Sequence, residues 1–243
     1  MNRTLITTLA LALAAAPAGA AVKRKARPAA RKAAAGDSFR SDAERALYAF
    51  GYKIGGNLGE NGFTRVQMQA VIEGLRDGAL GSPAKVNVPV FLPKANDVIQ
   101  KARAVKAEAE KKRGAAYAAK FAKEPGVKAL PEDAGWIKII KPGTGVQATP
   151  DDEVEVNYRG ALIDGKVFDS SYERHEPATF PLRGVIPCWT QGVAQLKVGG
   201  EADLVCPSSA AYGDGGRPPV IPGGATLVFH VELLDVTPPK SGK

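Results

Sequence analysis

Histidine and cysteine are almost missing from this sequence, with two of each among 243 residues. That scarcity closes off most of the acid–base, thiol and metal chemistry that depends on them. His175 lies in a polar stretch, and His230 falls on the outward phase of a strand pattern whose neighbours Phe229 and Val231 point inward, so both read as surface residues. No cluster of His, Cys, Asp and Glu has metal-ligand spacing, and no Gly-x-Ser-x-Gly elbow occurs. Gly213-Asp214-Gly215-Gly216 has the look of a nucleotide loop, but a proline-rich segment follows where a helix would have to begin. Neither a metal nor a cofactor is expected. Beyond the N-terminus no stretch approaches 18 uninterrupted apolar residues, so no membrane anchor is expected. An enzyme made from this chain would have to work without a nucleophile.

What is present begins with an export signal. Residues 1–20 carry one early charge, Arg3, an apolar run from Leu5 to Ala16 and the small-residue pattern Ala18-Gly19-Ala20, which reads as a signal peptide. The first cysteine is Cys188, so no lipid-modified cysteine follows the cleavage point, and the mature chain is expected to be soluble and periplasmic. Residues 1–36 hold seven of the basic residues and no acid, so a net charge of +8 falls to +1 over the remainder. A near-neutral body argues against a nucleic-acid partner. Residues 21–36 are nearly all Ala, Lys, Arg and Pro and are expected to form a disordered tether, as are the tail residues 239–243.

Helical patterns occupy the next stretch. Ser41-Asp42-Ala43-Glu44 and Thr64-Arg65-Val66-Gln67 are capping boxes. Behind them Leu47, Phe50, Gly51, Ile54 and Leu58, then Met68, Val71, Ile72 and Leu75, recur at helical spacing, and Gly78, Gly81 and Pro83 end the second run. From about Lys94 to Lys123 a charged stretch reads as one stalk helix of ~45 Å with a thin stripe of Val98, Ala102, Val105 and Ala109. The organisation is thus a helical domain over 37–92 and a stalk over 93–124. Two short helices and an alanine-striped stalk bury too little to be stable by themselves. Intertwining of two chains into a homodimer would cure this; the alternative is a monomeric appendage folded back on the C-terminal half.

After Pro131 the pattern changes to short strands. Val154 to Tyr158 and Thr226 to Leu233 alternate as half-buried antiparallel strands do, Asp164-Gly165 marks a hairpin, and Cys188 to Leu196 fits one short helix. The expected fold is α+β: a twisted antiparallel sheet over 131–238 wrapped around one short helix, preceded by the all-α dimerisation domain and its long stalk.

Seven segments, in order, carry a resemblance over this half: Val156-Asn157-Tyr158-Arg159-Gly160, Asp164 to Ser171, Val185-Ile186-Pro187-Cys188-Trp189, Gly192-Val193, Val198-Gly199-Gly200, Ala211-Tyr212-Gly213 and Ala225 to Phe229. Together they resemble the FKBP prolyl-isomerase family. The helical region is similar to the dimerisation domain of periplasmic members of the macrophage-infectivity-potentiator type. The resemblance implies a peptidyl-prolyl cis/trans isomerase acting on unfolded or proline-containing polypeptides. It implies Tyr158, Phe168, Asp169, Trp189, Tyr212 and Phe229 as catalytic residues, with Trp189 the floor under the proline ring. It implies Arg174, Val185, Ile186, Val220 and Ile221 as substrate-binding, the Ile186 amide serving as a donor. The sequence departs from the family at Ala178, in place of an aromatic wall residue; at Arg217, where His is frequent; at Cys188, where the helix usually starts with Gly; and in a shortened loop before Val185. A mainly chaperoning dimer or a proline-peptide binding module with little turnover is the alternative function.

Export to an oxidising compartment makes Cys188 and Cys206 a candidate disulfide, since one should begin the short helix and the other end the strand beneath it. Two buried free thiols are the alternative.

Overall fold

The computed structural model describes residues 37–239; the signal-peptide and tether expectations, and all of the expected tail but its first residue, lie outside them. Of the described residues, those from 37 to 45 belong to a small unit, and a second, larger unit runs from Ala46. In the first, the Ser41 hydroxyl accepts from the Glu44 amide at 3.2 Å, while the Glu44 carboxylate accepts from the Arg40 amide at 2.6 Å rather than from that of Ser41, so the box closes one residue early. Arg45 ties the turn by pairing with Asp37 and Asp42.

Helix α1 (Asp42–Gly59) and helix α2 (Arg65–Ala79) follow, the second opened by a complete capping box between Thr64 and Gln67. Neither helix has a buried residue. Helix α3 (Val88–Phe121) starts ahead of the expected position near Lys94. Asn87 caps it by accepting from the Val90 amide at 3.3 Å, and Pro89 occupies the first turn, where its missing N–H is not needed. The helix runs on through Pro93.

Of the stripe expected on α3 only Ala102 packs. Val98, Val105 and Ala109 are exposed, and the buried line is Ala102, Ala107, Gly114, Ala118 and Phe121. Small residues are required because the backbones meet: a Cβ on Gly114 would stand 2.0 Å from the Thr226 hydroxyl oxygen, and one on Gly224 would stand 2.2 Å from the Ala107 carbonyl oxygen. The C-terminal half of α3 thereby lies on the β-sheet domain, with Ala118 and Phe121 against Val205, Trp136 and Val228.

The sheet contains β1 (Val127–Ala129), β2 (Trp136–Lys141), β3 (Glu153–Leu162), β4 (Val167–Ser170), β5 (Ala178–Pro181), β6 (Glu201–Cys206) and β7 (Leu227–Thr237). Its order is β1-β2-β6-β7-β3-β4, all antiparallel, with β5 also pairing β3. It thus begins at Val127, before the expected boundary at 131, because β1 pairs with β2 through Ala129 opposite Trp136. Strict alternation on β3 and β7 buries Val154, Val156, Tyr158, Phe229, Val231 and Leu233 on one face.

Helix α5 (Pro187–Val193) lies against that face, and a short α4 (Ser171–Arg174) follows β4. Gly192 permits the close packing of α5, since a Cβ there would reach within 2.6 Å of Leu204. Cys188 in its first turn is disulfide-bonded to Cys206 at the end of β6, with Cα atoms 5.6 Å apart. The bridge spans 18 residues of sequence. Constraining a loop of that size in the unfolded chain stabilises by ~3 kcal/mol. Unfolding in urea with and without a thiol reductant should show that loss; coincident curves would contradict it.

Candidate functional site

The open end of this helix–sheet core is a cleft of about 670 Å³. Its floor is Trp189, carried by α5 and 4 % exposed. Three rings stand edge-on to the indole: Tyr158 at 5.2 Å, Phe229 at 5.3 Å and Phe180 at 5.8 Å between centroids. Phe168 closes the far side at 5.6 Å from Phe229. Edge-to-face packing of this kind is the favoured geometry for aromatic rings and fixes the wall positions. Gly160, opposite Phe229 on the neighbouring strand, makes room for it, because a Cβ there would come within 2.7 Å of Phe168 and 2.8 Å of Phe229.

One edge of the cleft is polar. The Tyr158 hydroxyl donates to the Asp169 carboxylate, Arg174 pairs with the same carboxylate, and Arg174 also donates to the Tyr158 oxygen at 3.0 Å. Ser171 holds the strand end in place, its hydroxyl accepting from the Tyr158 amide at 2.9 Å and donating to Asn157. Partial burial pushes the Asp169 carboxyl up, but the hydrogen bonds from Tyr158 and Arg174 outweigh it and hold the group below its ordinary value. Burial, then the adjacent carboxylate, pushes the Tyr158 phenol above its ordinary value. Asp169 therefore stays ionised and Tyr158 neutral through the whole neutral range.

At the mouth, Val185 and Ile186 precede α5. The Ile186 carbonyl accepts from the Trp189 and Thr190 amides, while among the described residues its own N–H has no acceptor. Tyr212 and Arg217 come from the loop before β7, and the Arg217 guanidinium lies 5.1 Å over the Tyr212 ring.

The structure thus gathers Tyr158, Phe168, Asp169, Val185, Ile186, Trp189, Tyr212 and Phe229 around one cleft, with Arg174 behind Asp169. Val220 and Ile221 do not line it, contrary to expectation. Arg217 and Ile221 pair through their backbones in a tight turn; Ile221 joins the core at 5 % exposure, and Val220 faces solvent. Phe180 was missed, as were the small contributions of Gly184, Pro187 and Ala211. The signal for Phe180 was the alternation Ala178-Thr179-Phe180, which puts Phe180 opposite Val154 and on the same face as Ala178.

Comparison with known proteins agrees with this geometry. Residues 145–234 match the family described as FKBP-type peptidyl-prolyl cis-trans isomerase, and residues 43–133 match the domain amino terminal to it. The chain is 38 % identical over 249 residues to the FKBP-type peptidyl-prolyl cis-trans isomerase FkpA of Escherichia coli strain K12, covering 96 % of this chain and 89 % of that protein. It is 44 % identical over 113 residues to the peptidyl-prolyl cis-trans isomerase Mip of Coxiella burnetii, covering 46 % of this chain and 49 % of that one. The crystal structure of FkpA from Escherichia coli superposes with a TM-score of 0.62 at 36 % identity, covering 83 % of this chain and 99 % of that chain.

Proposed function

Because the chain belongs to the FKBP-type peptidyl-prolyl cis-trans isomerases, we propose that it turns X-Pro bonds of unfolded polypeptides in the Trp189 cleft, acting in the periplasm as a homodimer. The observation that carries the reading is the aromatic box itself, five rings lining one indole-floored cleft with Asp169 at its polar edge.

Rotation about an X-Pro bond is slow because amide resonance raises a barrier of ~18–20 kcal/mol, giving uncatalysed times of tens to hundreds of seconds. The planar amide is dipolar and well solvated, whereas the twisted one has lost resonance and polarity. Transfer from water into the aromatic cleft disfavours the planar forms more than the twisted transition state. The Ile186 N–H holds a substrate carbonyl, and Asp169, fixed by Tyr158 and Arg174, stands at the polar edge. Shortening ~100 s to ~10 ms is about 10⁴-fold, or ~5.4 kcal/mol, within reach of desolvation and one or two hydrogen bonds.

Export is supported by the N-terminal sequence pattern and by the Cys188–Cys206 bridge. No described helix is long and apolar enough to cross a membrane. Exposed apolar side chains such as Leu47, Phe50 and Ile54 on α1 and Ile72 and Leu75 on α2 support the dimer, and a chaperone role alongside turnover, since such faces hold unfolded chains. Aggregation suppression on a proline-free client tests that role separately.

The test of the isomerase is turnover of short prolyl peptides as a function of pH. Asp169, its pKa lowered, keeps its contribution above the ordinary carboxylate range and loses it only in acid; Tyr158, its pKa raised, keeps its own until pH rises beyond 10. Neither histidine lines the cleft. The rate should be flat between pH 6 and 9, and a bell-shaped profile in that window would contradict the mechanism.

A further inference from the structure

The cleft has two charged lining residues, Asp169 and Arg217. The first is spent inside the protein, on Arg174 and the Tyr158 hydroxyl. The second has no carboxylate partner among the described residues. Asp214, the nearest acid in sequence, is held by Lys111 at 2.6 Å. The mouth therefore carries an uncompensated positive charge.

That charge is also held in place. The Arg217 amide donates to the Ile221 carbonyl at 2.8 Å, and the Ile221 amide donates back at 3.0 Å. Gly216 makes the turn possible with φ at +62°, where a Cβ would stand 2.4 Å from the Ile221 carbonyl oxygen. The guanidinium rests on the Tyr212 ring, which restricts its conformers while leaving its edge donors free. A pre-positioned, weakly hydrated fork of donors beside a peptide-binding cleft matches one ligand chemistry above others, a carboxylate on the bound peptide.

Building on the assignment of the Trp189 cleft as the prolyl site, we propose that Arg217 makes this isomerase charge-selective, favouring X-Pro segments with Asp or Glu adjacent to the proline over those with Lys or Arg. The guanidinium attracts the acidic flank as the peptide enters and repels the basic one. Because the group is exposed, the effect has the size of a surface ion pair, about two- to fivefold in kcat/KM. It should shrink in 1 M salt, where the screening length falls to ~3 Å.

The experiment uses the mature full-length chain and peptides differing in one residue, Glu, Lys or Ala, placed before the proline in one series and after it in another. Exchange is read by NMR, so that no coupled protease imposes its own preference. We expect the Glu-to-Lys ratio of kcat/KM to exceed about two in at least one series, to fall toward one in Arg217→Gln, to invert in Arg217→Glu and to survive in Arg217→Lys. Ratios within one variant cancel any general loss of turnover. A ratio near one in both series for the unmodified protein, or one that Arg217→Glu leaves unchanged, would overturn the proposal. If the Ala peptides are not turned over at all, the reading of the cleft as an isomerase site fails instead.

Discussion

Replacing Trp189 with Leu is expected to lower kcat/KM for a short prolyl peptide by ten- to a hundredfold, while the variant remains folded. Among the cleft rings the indole alone is in contact with three others, Tyr158, Phe180 and Phe229. Leu keeps an apolar floor but cannot fill the same area, so water gains access to the bound amide and part of the ~5.4 kcal/mol of differential stabilisation is lost. A tenfold to hundredfold loss corresponds to ~1.4–2.7 kcal/mol. Stability falls as well, since each aromatic pair contributes ~0.5–1.5 kcal/mol beyond its burial. Turnover must therefore be measured at a temperature where circular dichroism shows the variant native. Unchanged turnover in Trp189→Leu would remove the indole from the mechanism. Phe229→Leu provides an independent wall substitution, expected to act in the same direction with a smaller effect, since Phe229 shares its side of the cleft with Phe168.

Much of the site was legible because it is written in local order. The turn at Asp164-Gly165, the alternation of β3 and β7 and the run from Val185 to Trp189 each specify local geometry and follow one another at fixed spacing. The fold class was readable for the same reason. What escaped depends on contacts distant in sequence. Ile221 packs in the same apolar cluster as Trp189 and Phe229 without lining the cleft, while its turn partner Arg217 stands at the mouth. Phe180 was overshadowed by Ala178, two positions earlier on the same face. On α3, the regular spacing of Val98, Ala102, Val105 and Ala109 located only Ala102 correctly, because close backbone approach to Thr226 and Gly224 selects Ala107 and Gly114 further along the helix. The charged stretch from Lys94 marks only the later part of α3, whereas an Asn cap and a first-turn proline nucleate the helix ahead of it.

The helical region is where the isolated chain is least self-sufficient, and that deficit leads to the second large effect. Leu47, Phe50, Ile54, Ile72, Leu75 and Phe91 are 40 to 70 % exposed, and neither α1 nor α2 buries a single residue. Burying the roughly half of each of these six side chains that is still exposed stabilises by ~5–10 kcal/mol in gross terms. Association opposes this with a cost of ~4–15 kcal/mol. A second copy of the chain, bringing further apolar side chains of its own, moves the balance firmly toward the dimer. We expect the mature protein to sediment as a dimer at micromolar concentration, and the double variant Phe50→Glu, Ile72→Glu to sediment as a monomer. The same variant should retain short-peptide turnover, because every cleft residue lies at or beyond Tyr158. It should assist the refolding of long proline-containing clients poorly, having lost the second arm that keeps a long chain within reach of a cleft. A fragment test of the same point should retain α3 from about Lys106 onward, since cutting at Pro131 would remove β1 and strip Ala118 and Phe121 from Val205 and Trp136. A monomeric unmodified protein at micromolar concentration would refute the dimer, and loss of peptide turnover on monomerisation would show that the cleft depends on the partner.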